Sequence, residues 1–372
     1  MPWLNVCYRV RAATDEIDAI AQALALEQSV EVPLAAVRDP SVAEHIVGRV
    51  ASIRSLDAAR FEAFEVNLQL ALDTTGLDVA QTINMLFGNS SLHEHVELMD
   101  AELPAELLHA WRGPRFGING LRELVHAGAR PLTCAALKPQ GLSSETLATL
   151  CHTFACGGID VVKDDHGLAD QRYSPFAERV RACQGALVRA NKATGRHSIY
   201  APSLVGSPRA LIEQARIVRE EGIGMVLVAP TLIGMPAFAE LVAEHIRVPV
   251  LAHPAYAGAC RVAPPFLLGK LFRALGADAV IYPNFGGRFA YPPELCLQIA
   301  QACRSESLAV RPALPVPAGG MTVERVDELI EFYGNDVMLL IGGSLLVAGD
   351  ALLDRTREFV AKVDASARLG VQ

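Results

Sequence analysis

Two rules of hydrophobic patterning divide this chain. From Pro131 onward, short and nearly continuous apolar runs alternate with amphipathic stretches of helical period. The runs are Leu132–Leu137, Ile159–Lys163, Ser198–Pro202, Met225–Ala229, Val250–Ala252, Ala279–Ile281, Ala313–Val316 and Val337–Ile341, eight in all. Strands apolar on both faces belong to a buried parallel sheet, with the intervening helices covering it. Ser174-Pro175 and Ser207-Pro208 each offer a capping hydroxyl before a proline at the first helical position. Gly195, Gly222, Gly276 and Gly334 mark helix ends. An open doubly wound sheet competes with a closed barrel. Eight regular units, with no Gly-x-Gly-x-x-Gly turn after the first strand, favour the (β/α)8 TIM barrel.

The first hundred or so residues read differently. Leu4–Val10 alternates as a strand, Thr14–Leu26 has helical period, Gly48–Leu56 and Arg60–Leu70 read as paired strands, and Val79–Phe87 as a helix. This β-α-β-β-α order predicts a ferredoxin-like α+β domain. Trp111-Arg112-Gly113-Pro114 supplies a boundary, giving domains 1–112 and 113–372.

Composition narrows the function. The net charge of −8 over 372 residues, without a Lys/Arg run, argues against nucleic-acid binding. The longest apolar stretch, Val337 to Gly349, is interrupted by glycines and falls short of a membrane span. The opening MPWLNVCYRVR is too short and mixed for a signal peptide. Eight cysteines occur without a CxxC pair. Cys151 and Cys156 lie in a helical pattern, and a cytoplasmic protein with reduced thiols is the expectation.

In such a barrel, chemistry sits where strands end. The first strand runs into Lys138-Pro139-Gln140 and the second into Lys163-Asp164-Asp165-His166. Alternation places Lys163 and Asp165 on one side of the strand and Asp164 on the other. A solvated polar cap explains most Lys-Asp pairs, but four titratable groups in succession at a barrel mouth suit a hard cation beside a reactive lysine. His253 follows the fifth strand, where a single histidine is more often structural than catalytic. The sixth strand opens into Asn284-Phe285-Gly286-Gly287-Arg288, a mobile lid with a cation. Gly319-Gly320 and Gly342-Gly343 end the last two strands, where exposed N–H groups suit a phosphate.

These residues, in this order, resemble the large subunit of ribulose-bisphosphate carboxylase and, more closely, its non-carboxylating relatives, the RuBisCO-like proteins (form IV type). Gly157-Gly158-Ile159-Asp160-Val161-Val162-Lys163-Asp164-Asp165 resembles the family's metal-site strand, Leu137-Lys138-Pro139 its first-strand motif, and Gly113-Pro114 with Gly117-Ile118 the segment before it. The resemblance implies that Lys163 is carbamylated and binds Mg2+ with Asp165. It implies catalytic roles for Lys138, Lys163 and His253, and a phosphate site at Arg288, Gly319, Gly320, Gly342 and Gly343. It also implies a homodimer in which Glu27 and Asn89 are lent to the partner's site.

Four positions depart from the family. His166 replaces a metal-binding glutamate and is a poor Mg2+ ligand, which weakens the ion's hold. Pro254 replaces an arginine that grips a second phosphate, Gln140 replaces a lysine, and Arg288 replaces the lid lysine. These losses argue against carboxylation of a bisphosphate. The resemblance then implies a singly phosphorylated, sugar-derived substrate turned into a metal-stabilised enolate. Removal of a carboxyl group from a phosphorylated 3-oxo sugar acid (3-oxo-isoapionate 4-phosphate type), by decarboxylation or transfer to water, is the first expectation. Enolisation or isomerisation of a methylthio-sugar phosphate in methionine salvage is the second. A non-catalytic protein that binds or senses a phosphorylated ligand is the reading of a different class.

Overall fold

The computed structural model describes residues 2–56, 62–289 and 291–369. They form two compact units: 1–111 together with 258–267, and 112–257 together with 268–372.

The first unit is built on strands β1 (Trp3–Arg11), β2 (Arg49–Ser55), β3 (Ala63–Ala71) and β4 (Val96–Ala101), in the order β2-β3-β1-β4. Every pairing is antiparallel. With helices α1 (Ile17–Glu27) and α2 (Val79–Phe87) between strands, this is the expected ferredoxin-like arrangement. Strand β1 buries Leu4, Val6, Tyr8 and Val10 on one face and turns the residues between them outward. The predicted helix start at Thr14 gives way to one at Ile17. Arg60, the first residue of the expected β3, lies outside the described residues, and the strand begins at Ala63.

The fourth strand was not among the expected elements, for a physical reason. Val6 pairs with Ala101, Cys7 with Asp100 and Tyr8 with Leu98, so Met99 is an extra residue in the ladder. A bulge of this kind breaks the period-2 pattern that marks a strand. Residues 258–267 complete this unit. Leu98 donates its N–H to the Arg261 carbonyl and accepts from the Ala263 N–H.

The second unit is a parallel (β/α)8 barrel, as expected. Its strands are β5 (Leu132–Leu137), β6 (Val161–Asp164), β7 (Ile199–Ala201), β8 (Ser203–Leu204), β9 (Val226–Val228), β10 (Val250–Ala252), β11 (Ala279–Pro283), β12 (Leu314–Ala318) and β13 (Met338–Ile341). One hydrogen-bonded series runs β13-β5-β6-β7 and the other β8-β9-β10-β11-β12. β7 falls within the predicted strand Ser198–Pro202, and β8 continues the chain beyond its predicted end, after a break at Pro202, which contributes no N–H. β7 pairs with β6 and β8 with β9, which carries the ring across the break. On the opposite side β12 lies against β13. Leu132, Val161, Leu227, Leu251, Leu314 and Leu340 belong to the buried core cluster.

Helices α3 (Ser144–Gly157), α4 (Phe176–Thr194) and α5 (Pro208–Glu220) follow β5, β6 and β8. Ser207 caps α5 as expected, accepting the Ala210 N–H. Ser174 does not cap α4. Its hydroxyl hydrogen-bonds Ser144 Oγ at 3.0 Å, and the Phe176 N–H is taken by Asp170 Oδ1 at 2.7 Å. Gly195, Gly222, Gly276 and Gly334 all adopt positive φ, as helix-ending glycines should.

The base of the barrel is held by Asp160, which is buried. Its carboxylate accepts two bonds from Arg130, at 2.6 and 2.7 Å, and the Thr133 N–H at 2.8 Å. This joins the starts of β5 and β6. Asp160→Ala leaves Arg130 and the Thr133 N–H without these partners and is expected to cost about 3 kcal/mol or more in urea unfolding. A loss below about 1 kcal/mol would contradict this account.

Candidate active site

Strand period sets the centre of the site. Lys163 and Asp165 flank Asp164 at the end of β6, and Asp164 points the other way, as alternation requires. Its Oδ1 accepts the Tyr200 hydroxyl at 2.7 Å. Its Oδ2 accepts Arg179 Nε at 3.0 Å and the Ser203 N–H at 3.1 Å. Lys163, only 3 % exposed, donates Nζ to the Asp164 carbonyl at 2.8 Å. Burial lowers the pKa of this lysine and so favours its neutral amine.

Asp165 is the hub on the other face. It forms an ion pair with Lys138 from the end of β5, and its Oδ1 accepts His166 Nδ1 at 3.1 Å and the Gly167 N–H at 3.0 Å. Burial pushes this carboxyl upward. The hydrogen bonds from His166, Lys138 and Gly167, with the charge of Lys163, outweigh burial and hold it well below the usual carboxylate range.

The His166 ring stacks on His253, with centroids 4.1 Å apart and planes 14° from parallel. Burial, together with the nearby Lys163 and His166, takes the His253 pKa down to about 2, so its imidazole is neutral. His253 Nδ1 accepts the Ala255 N–H at 3.1 Å, which leaves the ring proton on Nε2, free to donate.

The glycine pairs come together as well. Ser344 Oγ donates to the Met321 carbonyl at 2.7 Å, tying the loop after β13 to the loop after β12. A Cβ at Gly342 would lie 3.9 Å from Lys138 Cε, which places that glycine beside the lysine. A Cβ at Gly287 would fall 1.9 Å from the Gly319 carbonyl oxygen, so only glycine permits this approach of the loop after β11. Arg288, expected to aim a cation at the phosphate glycines, is exposed, with its guanidinium over the Phe289 ring at 5.0 Å. Its backbone N–H is the part beside Gly320. Gln140 lies against Gly167, where a Cβ would strike its amide.

In the first unit, Glu27 and Asn89 are neighbours. Asn89 Nδ2 donates to Glu27 Oε1 at 2.9 Å and to Glu31 Oε1 at 3.1 Å. Buried Gln28 holds both segments in place, donating to the Met85 carbonyl and accepting from the Ser90 hydroxyl, each at 2.5 Å.

Sequence reading missed Arg179, Tyr200 and Ser203, which lie beneath the site. Arg179 had a signal. It shares the apolar stripe of α4 with Phe176, Val180 and Cys183, where a charge requires a buried partner.

Residues 117–282 match the family model for the ribulose bisphosphate carboxylase large chain, catalytic domain. The chain is 50% identical over 358 residues to ribulose bisphosphate carboxylase-like protein 1 of Rhodopseudomonas palustris, covering 96% of each. The chain belongs to the RuBisCO large-chain family, among the RuBisCO-like proteins. A second relative, 47% identical over 368 residues and covering 99% of this chain and 98% of its own, is named 5-methylthioribulose-1-phosphate isomerase, from Rhodospirillum rubrum. The crystal structure of a RuBisCO-like protein from Rhodopseudomonas palustris superposes with a TM-score of 0.91 at 45% identity, over 98% of both chains. Among the described residues, no helix is long and apolar enough to cross a membrane.

The depressed Asp165 carboxyl has a consequence for this RuBisCO-like protein. Its folded pKa lies below the unfolded value of about 3.9, so the stability it contributes is full above that pH and is lost on further acidification. The stability gap between wild type and Asp165→Asn is therefore expected to stay constant from pH ~7 to ~5.5 and to shrink below pH ~4. A gap that does not change down to pH ~3 would rule out the depressed value.

Proposed function

We propose that this RuBisCO-like protein isomerises a methylthio-ketose phosphate, of the 5-methylthioribulose 1-phosphate type, through an enediolate. The observation that carries the reading is the pairing of two unlike lysines at one barrel mouth. Lys163 is buried, which makes its ammonium easier to deprotonate, and Lys138 forms an ion pair with Asp165. One suits taking a proton from carbon and the other suits returning it. The extended similarity to a 5-methylthioribulose-1-phosphate isomerase supports the same chemistry. It favours this second expectation over the removal of a carboxyl group that the sequence placed first.

In this reading Lys163, through its amine or through an oxygen of its carbamate, removes the proton beside the ketone, and the electron pair of that C–H bond becomes the C=C of the enediolate. Lys138 delivers a proton to the original carbonyl carbon, and the hydroxyl proton of the deprotonated carbon passes to the former carbonyl oxygen, so the product has the composition of the substrate. His253 Nε2–H donates to a substrate oxygen as charge develops there. The loops of Gly319-Gly320 and Gly342-Gly343 hold the phosphate through backbone N–H groups, with Arg288 beside them.

A divalent cation fits the donor set when Lys163 carries a carbamate, which a buried neutral amine is suited to form with CO2. Without it, no group of three or more His, Cys, Asp or Glu side chains among the described residues is placed to hold a metal. Carbamylated Lys163, Asp165 and His166 would hold Mg2+, weakly because one donor is an imidazole. Bound Mg2+ supplies Lewis-acid stabilisation of charge on adjacent substrate oxygens. Glu27 and Asn89 would complete the site of the partner in a homodimer.

Incubation with 5-methylthioribulose 1-phosphate in D2O, followed by NMR, tests the proposal. An isomeric sugar phosphate with solvent deuterium on the original carbonyl carbon is expected. Lys163→Met is expected to slow its formation by about 10²–10⁴-fold. CO2 release from a phosphorylated 3-oxo sugar acid, with no isomerisation, would overturn the proposal.

A further inference from the structure

The loop between β6 and α4, residues 165–175, carries Asp165 and His166 at its start. Beneath it lies Arg179, whose side chain is 0 % exposed. Each of its nitrogens has a separate target. Nε donates to Asp164 Oδ2 at 3.0 Å, Nη2 to the Ala169 carbonyl at 2.8 Å and Nη1 to the Ser174 carbonyl at 2.7 Å. One rigid guanidinium thus spans the strand end, the middle of the loop and its exit into α4. The Asp164 end of this span is fixed again by Tyr200 and Ser203, and its carbonyl receives Lys163 Nζ.

The other side of the loop has a lighter restraint. Gln171 Nε2 donates to the Gly167 carbonyl at 2.7 Å, and Gln171 Oε1 accepts the Ala169 N–H at 2.8 Å. Asp164 balances the charge of Arg179, whereas its two bonds to carbonyls neutralise nothing and serve only to fix the chain. A lysine at this position reproduces the charge but not the three-way span.

Resting on the isomerase reading above, we infer that Arg179 is a positioning residue for the proton transfer at Lys163. It holds the 165–175 loop in the conformation that keeps Asp165 against Lys138 and His166 on His253. It touches no substrate and acts through the loop.

The test compares wild type, Arg179→Lys and Gln171→Ala by hydrogen exchange of the loop amides and by steady-state turnover of 5-methylthioribulose 1-phosphate. In Arg179→Lys the loop amides are expected to exchange at least about tenfold faster. Its kcat is expected to fall about 10–100-fold, with KM changed less than about threefold. Gln171→Ala is expected to shift both readouts the same way, by less, at an unchanged Tm. Should Arg179→Lys fail to fold, Gln171→Ala carries the test, because its exchange and kcat must still move together. Unchanged loop exchange in folded variants, or faster exchange with kcat intact, would overturn the inference. Faster exchange in variants of a wild type that does not turn over this substrate would reject the isomerase reading and uphold the restraint of the loop.

Discussion

Everything at the mouth of this barrel depends on where Asp164 goes. The pleat allows one of three consecutive residues to point into the packing layer, and the structure sends a carboxylate there. An uncompensated carboxylate in that position is costly, and Arg179, Tyr200 and the Ser203 N–H compensate it. The return is register. With Asp164 anchored, Lys163 and Asp165 both face the mouth, and a one-residue slip of β6 would exchange the anchored group with those at the mouth.

From that register follows a division of charge. Lys163 sits where burial disfavours the ammonium, while Lys138 is held by a carboxylate that three donors keep ionised. The His166 ring, just past the end of β6, stacks on that of His253, just past the end of β10. Burial keeps His253 neutral, and so able to donate without adding a further charge to the site. The loops after β12 and β13 are tied through Ser344, which sets the two glycine pairs together.

Much of this was legible in the sequence, because buried parallel strands and helix-ending glycines are local signals. The barrel strands could be drawn from apolar runs, and the Lys163/Asp165 face from alternation alone. What escaped has non-local causes. β4 hides behind the bulge at Met99, which only its partner β1 reveals. β8 lies past the predicted strand end at Pro202, because the chain on the two sides of that proline serves different neighbours. Ser174 has the residue type of a cap, yet Ser144 takes its hydroxyl and Asp170 caps in its place. Arg288 has the right charge at the right strand, but its guanidinium turns onto Phe289.

The chemistry at this mouth turns on a Lys163 ammonium that burial makes easier to deprotonate than an ordinary lysine, beside a Lys138 paired with Asp165. NMR of protein with 13C-labelled lysine side chains, in bicarbonate-free buffer, tests it most directly, with Lys163 assigned from the signal lost in Lys163→Met. The account predicts that the Lys163 signal titrates below the ordinary lysine value of about 10.4. Titration at or above that value would contradict it.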